Sequence, residues 1–258
     1  MKLRFLGTGT SFGIPVIGCD CATCRSADPR DRRTRHGALI EDAGSRILID
    51  TPPELRLQLL QADVREIDAV WFTHYHADHV HGIDDLRVFS MHGRRKVPIY
   101  AGRSTFDVLA DRFHYVFEKP TNPVPGVSRP EGDPHVLDAY VETEIAGMRL
   151  TPLPVPHGNV EVFGFRAGKL GYITDAKELP APTFEALRGV SVLVLNALWF
   201  GNSHPTHFNV EEAVSVAQEI GAERTFLTHI SHRVRHTELE ERLPAGIEAA
   251  YDGLDIEI

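Results

Sequence analysis

The sequence predicts a single α/β domain in which layers of sheet and layers of helix pack on one another. Segments with strand character outnumber segments with helical character, and most predicted helices lie between two predicted strands. This alternation is typical of folds in which helices cover the faces of a sheet. The 258 residues suit one large domain, and we find neither an internal repeat nor a linker that would divide residues 1–258.

The first half of the chain contains five predicted strands and three predicted helices. The strands are the apolar or alternating runs KLRFLG, GALIED, SRILID, IDAVWFTH and VPIYAG. A first helix, PELRLQLLQADV, would place Leu55, Leu59 and Leu60 on one face, and a second would lie within residues 79–92. Ser104 is the predicted N-cap of a third helix, STFDVLADRFHYVF.

The second half consists mostly of predicted strands. Residues 119–135 carry five prolines and little apolar bulk, which predicts an exposed loop or flap. The strands that follow are GMRLTPLPV, VFGFRAG, LGYITD, VSVLVLNAL and RTFLTHI. Between the last two, NVEEAVSVAQEIGAE has helical spacing and a stop at Gly221.

The chain is acidic, with a formal net charge of −9 from 27 basic and 36 acidic side chains. A nucleic-acid binder usually presents a basic face, and the richest basic run is the short RDRRTRH at 30–36. Nucleic acid is therefore not an expected partner. A small anionic substrate is compatible with this charge, because bound cations would supply positive charge locally.

No apolar run approaches the roughly 20 residues that span a bilayer. The opening MKLRFLGTGTSFG reaches glycines too early to serve as a secretory signal. We therefore expect no membrane partner and a cytoplasmic location.

Histidines are concentrated in a short turn that follows a predicted strand. The motif HYHADH contains His74, His76, Asp78 and His79. Three later strands also end in a potential metal ligand, at His157, Asp175 and His229. Strand ends gather at one edge of a sheet, where α/β folds build their sites. Because imidazole and carboxylate suit zinc, manganese and iron, these seven side chains predict a site for two divalent metal ions.

The order of these ligands resembles that of the metallo-β-lactamase superfamily, whose signature His-x-His-x-Asp-His is followed by His, Asp and His at later strand ends. The resemblance implies a four-layer αββα sandwich with a metal cleft at one edge of its two sheets. Carried over by position, the ligands of the first metal ion would be His74, His76 and His157. Those of the second would be Asp78, His79 and His229, with Asp175 bridging both. The signature leaves the substrate open, because many reactions share this fold.

The three cysteines lie within six residues, at Cys19, Cys21 and Cys24. This spacing does not suit a disulfide framework and predicts a cluster of thiolate ligands. His232, three residues after His229, would complete a Cys₃His set, which is a common closed site for structural zinc. The alternative for His232 is a surface histidine with no ligand role.

Further features resemble phosphodiesterase branches of the superfamily. LGTGTSFGIP is similar to the opening of those branches, which include the tRNA 3′-processing nucleases. CDCATC, THISH and the ending LPAGIEAAYDGLDIEI resemble the PhnP group, the phosphoribosyl 1,2-cyclic phosphate phosphodiesterases of the carbon–phosphorus lyase pathway. In that group a zinc ion holds the N-terminal loop beside the C-terminal histidine strand. The resemblance implies a metal-dependent phosphoric diester hydrolase, a homodimer, that converts 5-phosphoribosyl 1,2-cyclic phosphate to ribose 1,5-bisphosphate.

The resemblance also implies a proton donor. In the phosphodiesterase relatives a histidine just before a helix protonates the leaving oxygen, and His207 in NSHPTHFNVEEA occupies the matching place. His204 is a less favoured substitute, and both histidines could instead be bystanders at a helix N-terminus. Asp78 would orient the attacking water as well as bind metal. Asn196 in LNAL stands where many relatives carry aspartate, which leaves the orientation of the His207 loop open.

The remaining candidate residues have weaker arguments. Arg35 and Arg87 are candidates for binding a substrate 5-phosphate, although no motif supports either. His81 lies beside the motif but outside the signature, which favours a supporting or solvent-exposed position. The other histidines have no spacing that recruits them: His36, His92, His114, His135 and His236.

Two other classes of function fit parts of the sequence. A tRNA 3′-endonuclease would share the metal set, but residues 119–135 are short and poor in lysine for an arm that clamps tRNA. A non-hydrolytic protein of pyrroloquinoline-quinone biosynthesis would share the cysteine cluster, but there the second histidine of the motif is often replaced, whereas His76 is present. The ligands accept zinc or manganese, and another cyclic nucleotide or small phosphodiester is an alternative substrate.

Overall fold

The computed structural model describes residues 1–93, 95–118, 126 and 128–258, and its strands form two sheets. In spatial order, the first sheet contains β14 (Asp255–Glu257), β1 (Lys2–Gly7), β2 (Gly37–Asp42), β3 (Ser45–Ile49), β4 (Ala69–Trp71), β5 (Val97–Gly102) and β6 (Gly132–Leu137). The strands from β3 to β6 run parallel, whereas β14, β1, β2 and β3 pair antiparallel. Parallel pairing places the carboxyl ends of β3 and β4 at the same edge.

The second sheet has the same number of strands within the described ranges. In spatial order it contains β13 (Ile247–Ala249), β12 (Arg224–Thr228), β11 (Val192–Asn196), β10 (Leu170–Tyr172), β9 (Val160–Ala167), β8 (Met148–His157) and β7 (Thr143–Ile145). The strands from β10 to β13 run parallel, and β7 to β10 form an antiparallel meander. The edge that carries the ends of β10 and β12 therefore also carries the end of β8.

The helices lie between strands or after them. They are α1 (Leu55–Gln61), α2 (Ala77–Val80), α3 (Arg87–Gly93), α4 (Arg103–Arg112), α5 (His114–Phe117), α6 (Ala181–Leu187), α7 (Val210–Ile220) and α8 (His236–Arg242), with 3-10 turns at Pro29–Asp31 and Ile83–Leu86. In α7 the predicted stop is confirmed, since Gly221 has a left-handed backbone, and Asn209 with Glu212 forms a capping box at its start. None of the helices in the described ranges combines the length and apolar character that a bilayer crossing requires.

A core of apolar side chains fills the space between the sheets. Strand residues alternate between this core and the outer face: Ala38 and Ile40 point inward, and Leu39 between them points outward. The inner core also holds Trp71 of the first sheet and Phe165 of the second, whose rings meet edge to face at 5.3 Å between centroids. Burial of these rings holds the two sheets together.

Two outer cores complete the layers. On the first sheet, Leu39 packs with Leu55 of α1 and Leu109 of α4. On the second, strand residues pack with α6, α7 and α8, for example through Leu187 and Ala213. The predicted four-layer αββα sandwich is thereby confirmed.

The end of the chain closes the first sheet beside its beginning. β1 pairs with β14, with Leu3 opposite Ile256. Close by, the half-buried carboxylate of Asp252 accepts hydrogen bonds from the backbone N–H groups of Thr8 at 2.8 Å and Thr34 at 2.6 Å, and from both hydroxyls. This carboxylate fixes the start of the glycine-rich loop that follows β1.

Some local predictions were wrong. Leu60 is 65% exposed, because the buried face of α1 is formed by Leu55, Gln58 and Leu59. Ser104 is not an N-cap, since β5 passes directly into α4 and Gly102 takes that position.

The segments at 79–92 and 119–135 also differ from expectation. The first is broken into α2, a 3-10 turn and α3 rather than one helix. In the second, Gly132 and the residues after it form β6, so its end is a strand and not a loop. Residues 119–125 and 127 lie outside the described residues.

Candidate metal centre and catalytic cleft

The side chains predicted at four strand ends converge at one edge of the two sheets. His74 follows β4, His157 ends β8, Asp175 follows β10 and His229 follows β12. All four are buried. Asp175 and His229 have positive φ angles of 55° and 57°, a left-handed conformation that costs a non-glycine residue of order 1–3 kcal/mol. Such strain is typical of functional sites, and here it turns both side chains back toward the cleft.

The first group of donors contains His74, His76 and His157. One ligand atom from each lies within 4.8 Å of the others. Nδ1 of His157 donates to the carbonyl of Thr206 at 3.0 Å, which leaves Nε2 as the free ligand atom. The structure therefore brings the predicted first set together.

The second group contains Asp78, His79 and His229, also within 4.8 Å of one another. Nε2 of His79 is buried and has no hydrogen-bond partner among the described residues, and the same holds for Nε2 of His229. A buried nitrogen without a hydrogen-bond partner lowers the stability of the fold unless a metal ion binds it. The two nitrogens and the carboxylate of Asp78 thus fit a divalent cation.

Asp175 lies between the two groups. Its carboxylate oxygens are 3.4 Å from Nε2 of His79 and 3.2 Å from Nε2 of His229. It also clusters with His74 of the first group. This is the position expected of a bridging ligand.

Electrostatics favour bound cations at this site. Burial acts to raise the pKa of Asp175, but the imidazoles of His229 and His79 hold it well below its ordinary value. Burial likewise acts to lower the pKa of His79, and the carboxylates of Asp175, Asp50 and Asp78 outweigh it and raise that pKa to about 10. The pKa of Asp78 is lowered as well, so the carboxylates of Asp175 and Asp78 remain ionised, and divalent cations would supply positive charge beside them.

Asp50, directly after β3, supports the metal centre. Its Oδ2 accepts from Nδ1 of His79 at 2.7 Å and from Oγ1 of Thr73 at 2.8 Å, and its Oδ1 accepts from the backbone of Thr73 at 2.8 Å. A carboxylate behind a ligating imidazole fixes its tautomer and orientation. Asp50 was not among the predicted site residues, although it ends a strand as Asp175 does.

His207 reaches the site from the loop before α7. Its Nε2 lies 3.0 Å from Oδ1 of Asp175, while its Nδ1 lies 3.0 Å from Oγ1 of Thr206 and 3.3 Å from Nδ1 of His204. Burial lowers the pKa of His207, and the hydrogen bond that His207 donates to the Asp175 carboxylate opposes this effect. Nε2 is therefore the nitrogen that faces the metal centre, and His204 lies behind it.

Asn196 orders this region. Its side chain accepts from the N–H of Ala176 at 2.7 Å and donates to the carbonyl of Ala176 at 3.0 Å. The same carbonyl accepts from the N–H of Phe208 at 2.8 Å. Asn196 thus fixes Ala176, the residue after Asp175, and the carbonyl of Ala176 in turn holds Phe208, the residue after His207. Asparagine suits this position because its amide both accepts and donates.

The cysteine cluster meets His232 at a separate site. Nδ1 of His232 lies 3.3 Å from Sγ of Cys19 and 3.6 Å from Sγ of both Cys21 and Cys24. A tetrahedral zinc ion with bonds of roughly 2.3 Å to sulfur and 2.0 Å to nitrogen separates a sulfur from the nitrogen by about 3.5 Å. The four donors therefore fit a structural zinc ion.

Three other candidates, Arg35, Arg87 and His81, do not line the cavity beside the metal centre. Arg35 forms an ion pair with Glu54, and Arg87 forms one with Asp84. His81 packs edge to face on Phe113, at 5.9 Å between ring centroids.

His36, which had no predicted role, is buried behind the metal centre. Its Nε2 lies 2.8 Å from the hydroxyl of Tyr172, and its ring centroid is 5.4 Å from that of His79. Its spacing gives no signal in the sequence, because only the pairing of distant strands brings it there.

A cavity of about 360 Å³ opens beside the metal centre. His207 and His229 line it, together with Phe12 of the glycine-rich loop and with Trp199 and Arg233. This volume lies within the range of small-ligand pockets. The structure thus combines a group of metal ligands with space for a small substrate.

The sandwich and its seven clustered imidazole and carboxylate donors define the class of this protein as a metal-dependent hydrolase of the metallo-β-lactamase fold. A family model described as "Beta-lactamase superfamily domain" matches residues 45–230, which contain all seven donors. The chain belongs to the β-lactamase superfamily, and within it to the PhnP-like phosphoric diester hydrolases.

Two similar proteins match this chain over nearly their whole length, and a third matches it over about half of its length. A solved structure described as a new diphosphatase from the PhnP family has 40% identity and a TM-score of 0.91, covering 100% of this chain and 97% of that one. Ribonuclease Z of Methanopyrus kandleri is 30% identical over 100% of this chain and 98% of its own length. Octanoyltransferase of Porphyromonas gingivalis is 40% identical over 99% of this chain, and the chain spans 51% of that protein.

Proposed function

We propose that this protein is a dinuclear-metal phosphodiesterase that hydrolyses a small cyclic phosphodiester, with 5-phosphoribosyl 1,2-cyclic phosphate as the first candidate substrate. The observation that carries the proposal is the position of His207, whose Nε2 lies 3.0 Å from the carboxylate of Asp175 beside a small-ligand cavity. The likeness to the PhnP-family diphosphatase, at 40% identity, supports chemistry on a phosphorus centre.

The donors would divide between two divalent cations, zinc or manganese. His74, His76 and His157 would hold one, Asp78, His79 and His229 the other, and Asp175 both. Such cations lower the pKa of bound water and stabilise negative charge on phosphoryl oxygens. Cys19, Cys21, Cys24 and His232 would hold a third ion, a structural zinc.

Two side chains of the protein would orient the attacking water and protonate the leaving oxygen. Asp78, whose carboxylate lies 3.5 Å from Nε2 of His79 and 3.8 Å from Nε2 of His229, would accept a hydrogen bond from the attacking water. His207 would carry a proton on Nε2 and transfer it to the departing ribose oxygen. The expelled alkoxide is a strong base, so this proton transfer lowers the barrier for a cyclic ester in particular.

A second candidate reaction is diphosphate hydrolysis, which the description of the similar PhnP-family structure favours. Its leaving group is a phosphate, which is a much weaker base than an alkoxide. Hydrolysis of a diphosphate would therefore depend less on His207 than hydrolysis of a cyclic diester. The activity of the His207→Ala variant on a cyclic diester and on a diphosphate therefore distinguishes the two reactions.

The test is a substrate panel combined with metal analysis. The panel contains phosphoribosyl 1,2-cyclic phosphate, a 2′,3′-cyclic nucleotide, a generic diester, a diphosphate diester, precursor tRNA and a β-lactam, each with zinc and with manganese. We expect the highest kcat/KM for the phosphoribosyl cyclic ester. Efficient cleavage of precursor tRNA would establish the nuclease alternative instead, and a metal-free cleft with no hydrolysis would favour the non-hydrolytic one.

A further inference from the structure

We propose that Arg233, held on the face of Trp199, binds the substrate phosphate that is not hydrolysed. The inference rests on the proposed function, because a phosphoribosyl cyclic ester carries one reacting and one spectator phosphate. Arg233 replaces Arg35 and Arg87 as the candidate for this contact, since both of those arginines are paired with carboxylates outside the cavity.

Arg233 occupies the same cavity as the proposed catalytic groups. It lines this space of about 360 Å³ together with His207, His229 and Trp199. A phosphate at Arg233 and a phosphorus at the metal centre would thus lie within one small-molecule pocket. This arrangement suits two phosphates on one sugar.

The guanidinium group of Arg233 is oriented but not neutralised. Its central carbon lies 4.3 Å from the centroid of the Trp199 ring, and Nε1 of Trp199 donates to the carbonyl of Asn202 at 2.8 Å. Within the part of the chain that the structure describes, the Arg233 side chain makes no ion pair or hydrogen bond. Stacking uses the face of the guanidinium and leaves its N–H groups available for two parallel hydrogen bonds to a phosphate.

The backbone of Arg233 is also fixed. Its N–H donates to Oγ of Ser231 at 3.2 Å, and the N–H of Ser231 donates to the carbonyl of Leu198 at 3.1 Å. The preceding residue, His232, belongs to the cysteine cluster. These contacts hold Arg233 at a set position relative to His229, four residues earlier in the chain.

A nucleobase is the alternative occupant of the cavity. Phe12 lies at the edge of the cavity and is 71% exposed, and an exposed aromatic ring stacks well on a nucleobase. A phosphate is favoured over a base for two reasons. Trp199 already stacks on Arg233, and the N–H groups of the Arg233 side chain have no partner among the described residues. Preference for a base is therefore a distinct outcome of the test.

The experiment compares substrates that differ only in the spectator phosphate. Wild type, Arg233→Ala and Arg233→Lys are assayed on ribose 1,2-cyclic phosphate with and without a 5-phosphate, and on a 2′,3′-cyclic nucleotide without a 5′-phosphate. We expect Arg233→Ala to lower kcat/KM by about 10- to 100-fold for the 5-phosphorylated ester and by less than about twofold for the other. Arg233→Lys restores part of the loss, because lysine keeps the charge but not the paired donors.

Arg242→Ala is the matched control. Arg242 also stacks on an aromatic ring, with its central carbon 3.5 Å from the Phe200 centroid, but it pairs with Glu238 at 2.7 Å and does not line the catalytic cavity. We expect this variant to keep the wild-type activity on both esters. An equal loss on both esters in Arg233→Ala, or no loss on either, overturns the proposal. A loss confined to a 2′,3′-cyclic nucleotide without a 5′-phosphate assigns the cavity to a base instead.

Calorimetric titration with each of two products distinguishes a failure of this inference from a failure of the proposed function. Metal-loaded wild type should bind ribose 1,5-bisphosphate more tightly than ribose 1-phosphate, and Arg233→Ala should remove that difference. Absence of cyclic diesterase activity in wild type would refute the proposed function. An affinity difference that is missing in wild type, or unchanged in Arg233→Ala, would refute the phosphate site.

Discussion

Replacement of Asp50 by asparagine should selectively weaken metal binding at His79. The Asp50 carboxylate accepts three hydrogen bonds: from Nδ1 of His79 at 2.7 Å, and from the hydroxyl and N–H of Thr73 at 2.8 Å each. Asparagine has one oxygen and one NH₂ group. Whichever way the amide is turned, its NH₂ faces a donor, so either His79 or the backbone of Thr73 loses its acceptor.

The magnitude follows from these contacts. A hydrogen bond to a charged group contributes about 1.5–3 kcal/mol, which corresponds to roughly 10- to 150-fold in an equilibrium constant. Loss of the carboxylate behind a ligating histidine typically costs about 10- to 100-fold in metal affinity. We therefore expect Asp50→Asn to weaken one of the two proposed cation sites by about 10- to 100-fold and to leave the structural zinc unchanged.

The substitution is chosen to keep the backbone intact. Asp50 has a φ of 61°, and asparagine tolerates this left-handed conformation well. The assay is a chelator-competition titration that counts equivalents of bound metal. Asp63→Asn is the matched control, since Asp63 has a φ of 50° but lies on the surface, where it pairs with Arg65. If Asp50→Asn binds both cations as tightly as wild type, the assignment of Asp50 as the support of His79 is wrong.

Four other variants test separate parts of the site. Asp175→Asn should reduce metal content and hydrolysis to background, and a fully loaded variant would contradict the bridging role. His207→Ala should lower kcat for a cyclic diester by about 10²- to 10⁴-fold with unchanged metal content, so full activity would exclude it as the proton donor. Cys21→Ser should remove one zinc per chain and lower Tm, whereas retained zinc would reassign the cluster. Asn196→Leu should reduce the free energy of unfolding by about 1–3 kcal/mol, because the buried N–H of Ala176 loses its acceptor, and urea denaturation measures this.

The metal ligands could be predicted from sequence because their signals are local. Each of His74, His157, Asp175 and His229 follows an apolar strand, and strand ends gather at one edge whatever the order of the strands. The buried strands could also be recognised, because their apolar runs are local in the sequence.

The supporting residues could not be predicted in this way. Asp50 and His36 act through partners on other strands, so their roles depend on which strands become neighbours. Trp199 and Arg233 come together only after folding, and neither belongs to a recognisable motif.

Short elements were missed for a different reason. The helix α6 is seven residues long and begins after Pro180, so its few apolar residues show little periodicity. β13 and β14 have three residues each, and they form strands because an existing sheet edge supplies their hydrogen-bond partners. For such segments tertiary pairing decides the structure, and local preference contributes little.

The carboxylate of Asp252 accepts hydrogen bonds from Thr8 and Thr34, and it thereby anchors the glycine-rich loop that follows β1. Phe12 of that loop lines the cavity beside the metal centre. Loss of the Asp252 carboxylate would therefore alter one wall of the cavity while leaving all seven metal donors in the chain. The shape of the cavity and the metal-binding set thus depend on different residues.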